Sequence, residues 1–232
     1  MKNIIYILFI LFANHVQGQK VIEKNLDYSG QFIHIDVKFA SHIEVKTWDK
    51  SSIYFKADIT TEEGKYLDAY ELEIEERTDE ISINEQAKPI FKKFREEWEK
   101  EKKNKNYYNN EYEFKYVVHI PSNAEFKISS INGDLSSELI QGKFTADLIN
   151  GNIEIDKYSG ELDLKTINGE IDLKMTNTEL LAETIHGDIY ADENLDLKSY
   201  DRHVGQKISG SIGTASNQLR LNTINGNMYI RK

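Results

Sequence analysis

One short motif recurs at fixed spacing and constrains the fold more than any other feature of this chain. Ser130-Ile131-Asn132-Gly133-Asp134-Leu135 is followed by Leu148-Ile149-Asn150-Gly151-Asn152-Ile153, Thr166-Ile167-Asn168-Gly169-Glu170-Ile171 and Thr184-Ile185-His186-Gly187-Asp188-Ile189. The motif glycine stands at 133, 151, 169 and 187, a constant step of 18 residues. Gly142 and Gly160 lie midway, so the underlying grid is strand, turn, strand, turn in units of nine residues. A further copy, Thr223-Ile224-Asn225-Gly226-Asn227-Met228, appears later, off the grid. A fixed period of this kind marks stacked supersecondary units.

Between the turns, apolar residues alternate with polar ones, as in Phe144/Ala146/Leu148, Ile153/Ile155, Leu162/Leu164, Ile171/Leu173 and Leu219/Leu221. Period-2 alternation is the signature of a half-buried strand. Asn-Gly tolerates positive φ at both positions. Tight turns are therefore expected at Asn132-Gly133, Asn150-Gly151, Asn168-Gly169, His186-Gly187 and Asn225-Gly226. Rungs stacked about 4.8 Å apart would set Leu on Leu and Asn on Asn. The expected fold is all-β, a β-solenoid or β-helix-like stack of 18-residue rungs. A meander of hairpins is the alternative, but it does not need every second turn to recur at constant spacing.

Upstream, residues 20–87 also alternate, in Phe32–Val37, Ile43–Lys46, Ile53–Ile59, Leu72–Glu75 and Ile81–Ile83. Segment 62–80 carries nine acids against two bases, which suits the solvated face of strands. Residues 88–106 break the rhythm with eight Lys/Arg against four Glu. There Ile90, Phe91, Phe94 and Trp98 recur at spacings of three and four, the stripe of one helix face. That stripe either packs on the sheet or, through Phe91, Phe94 and Trp98, offers an interaction surface to an anionic partner. The domain reading is a leader at 1–18, a strand region at 19–120 with a charged insertion at 88–106, and a repeat region at 121–232.

Lys2 and the apolar run Ile4–Ala13, followed by Val16-Gln17-Gly18, form a signal-peptide pattern with cleavage expected after Gly18. The run is too short to span a bilayer. No cysteine is present, which excludes disulfides, thiolate chemistry and a lipoprotein anchor. No later stretch reaches spanning length, so no transmembrane anchor is expected in the mature chain. The expected location is bacterial and exported: periplasm, cell surface or medium. A formal net charge of −10 disfavours nucleic acid, whose phosphates need a basic face.

The unit Thr166-Ile167-Asn168-Gly169-Glu170-Ile171-Asp172-Leu173 resembles the bacterial putative-adhesin β-strand-repeat family. So does Gly210-Ser211-Ile212-Gly213 followed by Leu219-Arg220-Leu221-Asn222-Thr223-Ile224-Asn225-Gly226. The likeness covers residues 110–232 well and 20–87 more loosely. It implies a β-solenoid-like fold, export or membrane tethering, and an adhesin-like role. It implies no catalytic residues.

No catalytic constellation stands out. His34, His42, His119, His186 and His203 lack metal-ligand spacing, and neither Gly-x-Ser-x-Gly nor a P-loop occurs. Calcium-binding nonapeptides need doubled glycines and an Asp on each turn. The slot after the motif glycine instead reads Asp134, Asn152, Glu170, Asp188, Asn227. Acids also gather at Asp192, Glu193, Asp196 and Asp201, in a stretch whose register is ambiguous. No cofactor or metal is expected. The functional reading is a non-enzymatic envelope or surface module that contacts a protein or glycan. Alternatives are a periplasmic envelope-homeostasis component and a polysaccharide-active β-helix enzyme, which would need two suitably spaced carboxylates.

Overall fold

A computed structural model describes residues 18–101, 111–200 and 202–232. The leader lies outside them but for Gly18, as do the Asn/Tyr-rich segment 104–110 and Asp201. Among the described residues the chain forms β1 (Gln19–Asp27), β2 (Phe32–Asp36), β3 (His42–Trp48), β4 (Ser52–Thr61), β5 (Glu71–Glu76) and β6 (Glu80–Gln86). Helix α1 (Lys88–Glu101) follows, then β7 (Tyr112–Pro121), β8 (Glu125–Asn132), β9 (Asp134–Ser137), β10 (Ile140–Asn150) and β11 (Ile153–Ile155). The remainder is β12 (Tyr158–Thr166), β13 (Ile171–Lys174), β14 (Thr178–Thr184), β15 (Ile189–Ala191), β16 (Lys198–Tyr200), β17 (Gln206–Ser211), β18 (Asn217–Thr223) and β19 (Met228–Arg231).

These strands build two sheets. One runs β1-β4-β7-β3-β9-β11-β13-β19-β15, the other β16-β17-β14-β18-β12-β10-β8-β2-β6-β5. Alternation puts one row of each sheet into a shared interior. Ile43, Leu135, Ile153, Ile171 and Met228 come from the first, Ile35, Ile128, Ala146, Leu164 and Leu221 from the second, and all ten are buried. Both the early strands and the repeat contribute to both sheets, because β2 pairs with β8 and β3 with β9.

The fold is therefore a two-layer, sandwich-like arrangement of mixed sheets, and the expected solenoid stack is overturned. Parallel pairing fills the middle of each sheet, with Ile153 beside Ile171 and Leu164 beside Ala146. Antiparallel pairs occupy the flanks, as in β1 with β4, β5 with β6, and β14 with β17. A solenoid also stacks its rungs in chain order, and here the last copy breaks that order. β18 lies between β12 and β14, and β19 between β13 and β15. Copies that resemble one another can stack on any neighbour, so the period specifies the pairing and not the sequence of rungs.

Helix α1 begins with Pro89 in its first turn, where a missing N–H costs nothing. Its stripe turns towards the fold. Ile90 and Phe94 are buried, and Phe91 packs on Phe39 and Tyr112 at ring distances of 4.6 and 5.0 Å. Phe94 meets Tyr66 edge-on at 5.0 Å, and Lys65 pairs with Glu97 at 3.2 Å. Trp98 is half-buried on the same stripe.

Candidate functional site

The motif residues divide their work by position, and the division produces an unusual surface. The first motif position faces inward in every copy: Ser130, Leu148, Thr166, Thr184 and Thr223 are all buried. The threonine hydroxyls donate to glycine carbonyls of the adjacent rung, Thr166 to Gly151 at 2.8 Å, Thr184 to Gly226 at 3.1 Å and Thr223 to Gly169 at 3.2 Å. One step further the side chain must point out, and that residue is isoleucine in every copy. Ile131, Ile149, Ile167, Ile224 and Ile185 keep 36 to 45% of their surface exposed.

Asparagine comes next and stitches the rungs together. Asn150 donates to Asn132 at 3.2 Å, Asn168 to Asn150 at 2.8 Å and Asn225 to Asn168 at 2.7 Å. His186 takes the asparagine position of the rung beyond Asn225, where its backbone N–H donates to the Ile224 carbonyl at 2.7 Å. The glycines then pass each other at close range. A Cβ on Gly151 would fall on the carbonyl oxygen of Gly133; the same holds for Gly169 on Gly151, Gly226 on Gly169 and Gly187 on Gly226. This corrects the expected turn chemistry. Only Gly133 of the five has positive φ, +96°, and none of the motif asparagines does. Glycine is required by the crowding of stacked backbones.

The variable slot after glycine also has a ladder role. Asp134 accepts from the Asn152 N–H at 2.8 Å, Asn152 from the Glu170 N–H at 2.9 Å and Asn227 from the Asp188 N–H at 3.0 Å. Either an amide or a carboxylate oxygen does this, which explains why the slot varies. Among the described residues no three His, Asp or Glu side chains gather to hold a metal ion.

The isoleucines thus form one row along the edge where the chain crosses between sheets. Among the described residues nine large hydrophobic side chains are exposed, and five are these isoleucines. Exposed apolar residues scattered singly are ordinary, whereas a contiguous row is not. Ile167, Ile224 and Ile185 line a half-open groove of about 360 Å³, with Asp147, Lys165, Glu183 and Arg202 along it. Sequence reading missed this row, although parity placed it. Leu219, Leu221 and Thr223 face in, so Ile224 faces out.

Two other clusters lie apart from the row. Trp48, Tyr54 and His119 pack together on the first sheet, with Trp48 4.8 Å and Tyr54 5.3 Å from His119. Burial, with Lys46 and Lys50 nearby, lowers the His119 pKa. Inside the fold, Glu85 faces the core, and burial pushes its carboxyl up to about 7. Of the other histidines, His34 lies 3.7 Å from Glu80, His42 shares a 3.0 Å hydrogen bond with Ser136, and His203 is exposed. No helix among the described residues is long and apolar enough to cross a membrane.

No family model matches the chain, and no curated protein matches it significantly. Solved structures do. A putative cell adhesion protein from Clostridium sporogenes aligns over 92% of this chain and 99% of its own, with a TM-score of 0.57 and 13% identity. A putative adhesin from Bacteroides fragilis covers 91% and 97% at 10% identity with a TM-score of 0.34. A putative lipid binding protein from Parabacteroides distasonis covers 93% and 97% at 12% identity with a TM-score of 0.26. Only the first is close enough to carry an argument, and at that identity it shows a shared fold.

Proposed function

We propose that the protein is an exported, non-enzymatic interaction module of the bacterial envelope or surface, and that its contact surface is the isoleucine row. The carrying observation is that every copy of the motif exposes an isoleucine at the same place, although a polar residue there would satisfy the strand pattern equally well. The part of each isoleucine left in water gains nothing for folding, whereas covering it on association removes apolar surface from water. The fold shared with the putative cell adhesion protein from Clostridium sporogenes points the same way. Several outward carboxylates are engaged in ion pairs, as in Lys143 with Glu125, Lys174 with Asp156 and Arg231 with Asp172, which suits a solubilising role.

The test joins location to binding. Cell fractionation should find the protein outside the cytoplasm. Envelope components that the wild-type protein retains should be lost with Ile167→Asp/Ile224→Asp, while the variant keeps its melting temperature. Cytoplasmic location, or retention unchanged by the double substitution, would refute the reading.

A further inference from the structure

We infer that the occupant of the isoleucine row is a second copy of this chain, docked about a two-fold axis through the β18 rung. This rests on the row being a contact surface; what it adds is the partner. The argument comes from the charges that run beside the row. Strand register aligns Asp147, Lys165, Asn222, Glu183 and Lys207 across β10, β12, β18, β14 and β17. Their charges read minus, plus, neutral, minus, plus. Reversed about Asn222, the pattern becomes plus, minus, neutral, plus, minus, so each charge meets its opposite. Each such contact extends a pair already made within its own copy: Asp147 with Lys127, Lys165 with Asp163, and Glu183 with Lys207 and Arg202.

The apolar row crosses that axis at Ile224, with Ile167 on one side and Ile185 on the other. Continuing the β14–β17 register beyond Thr184 and Gln206 places Gly205, which has no side chain, next to Ile185 at the end of the row. A two-fold axis through Ile224 sets Ile224 against the partner's Ile224, Ile167 against the partner's Ile185 and Ile149 over the partner's Gly205. It sets Lys165 against the partner's Glu183 and Asp147 against the partner's Lys207. An isologous contact demands this kind of self-complementarity. Elsewhere two copies with a formal charge of −10 repel, while this row sums to zero. At about 4.8 Å per strand the five isoleucines span only roughly 19 Å, and a row one side chain wide covers far less than a standard interface's share of about 800 Å² per partner. The contact is accordingly weak and is suited to copies held close together.

Sedimentation equilibrium of the purified protein from 10 µM to 1 mM tests this. Reversible dimers are expected, weakened at least tenfold by Lys165→Glu or by Glu183→Lys alone, since each opposes like charges twice. Mixing the two variants restores an opposite pair on both sides, so a heterodimer should return at wild-type strength, an outcome that misfolding cannot mimic. A monomer throughout the range, or variants that dimerise unchanged, would overturn the inference. A monomer that still loses an envelope component on Ile167→Asp/Ile224→Asp would overturn only the homotypic partner and leave the contact surface standing.

Discussion

Tyr116 donates a 2.8 Å hydrogen bond to Glu85 across the interior of the fold, joining a tyrosine of one sheet to a carboxylate of the other. Tyr70 lies 3.0 Å from the Tyr116 hydroxyl, and the Phe39 N–H reaches the same Glu85 oxygen at 3.3 Å. Burial dominates the balance at Glu85: these bonds and Lys38 favour the charged form, nearby Asp36 opposes it, and the carboxyl is still pushed up to about 7.

That shift makes stability depend on pH in a predictable direction. Between the ordinary carboxylate range and pH 7 the folded protein holds a proton that the unfolded chain has released. The Glu85 contribution is therefore fully present below about 4.5 and is lost as pH rises through about 7. Glu85→Gln removes the titration and leaves an acceptor for Tyr116. The variant should be the more stable form at pH 8, by up to roughly 3 kcal/mol, with the advantage shrinking towards pH 5. Urea midpoints at the two pH values measure this, and parallel pH profiles for the two proteins would count against it.

Gly169 has no room for a side chain, since its Cβ would fall on the Gly151 carbonyl and the Thr166 hydroxyl. Backbone lies on the other side as well, because Gly226 approaches the Gly169 carbonyl just as closely. Gly169→Ala should cost at least ~2 kcal/mol, as overpacking with no flexible neighbour to yield. Gly30 has φ of +103° but nothing within 4 Å of a Cβ, so Gly30→Ala should cost only the backbone strain, about 1 kcal/mol. Equal losses at the two positions would remove crowding as the reason for the motif glycines.

The rung-to-rung alignment was legible in the sequence because it follows from spacing alone. Eighteen residues separate Leu164 from Ala146 and Asn168 from Asn150, and both pairs are neighbours in space. Two things could not be read from that period. The placement of β18 between β12 and β14 depends on the hairpin of β16 and β17 taking the outer flank, which no spacing encodes. The antiparallel flanks at β1, β4 and β5 lie outside the repeat, so its period says nothing of their pairing. The exposed row and the buried Glu85 were both present as parity. Ile81, Ile83 and Glu85 share a face, as do Arg220, Asn222 and Ile224. They were missed because an outward isoleucine and an inward glutamate each contradict the expectation from residue type, and parity is the stronger signal once the strand is placed.

Leu164 and Ile167 lie three residues apart and separate packing from surface. Leu164 is fully buried between Ala146 and Leu221, so Leu164→Asp places a charge where it has neither water nor a partner. A loss above ~4 kcal/mol is expected, a large share of the stability of an ordinary domain and enough to lower the melting temperature strongly at pH 7. Ile167→Asp should change stability by no more than about 0.5 kcal/mol, because the side chain already meets solvent. Thermal melts monitored by circular dichroism distinguish the two, and a stable Leu164→Asp protein would contradict the assigned register.

The asparagine ladder has a direction, and direction gives it a test that simple truncation lacks. Each amide donates to the rung before it: Asn168 gives a proton to Asn150 at 2.8 Å and receives one from Asn225 at 2.7 Å. Asn168→Ala removes both bonds, but the side chains are exposed and water replaces much of what is lost, so about 1 kcal/mol is expected. Asn168→Asp keeps the acceptor that Asn225 needs and loses the donor. Its ionised oxygen then faces the Asn150 carbonyl oxygen across a hydrogen-bond distance, which is repulsive. Aspartate should therefore be worse than alanine at pH 7, and the order should reverse below about pH 4, where the protonated carboxyl can donate again. Urea denaturation of both variants at pH 7 and pH 3.5 reads the crossover, and an aspartate variant that matches or exceeds alanine at pH 7 would mean that the ladder does not depend on which way the amides point.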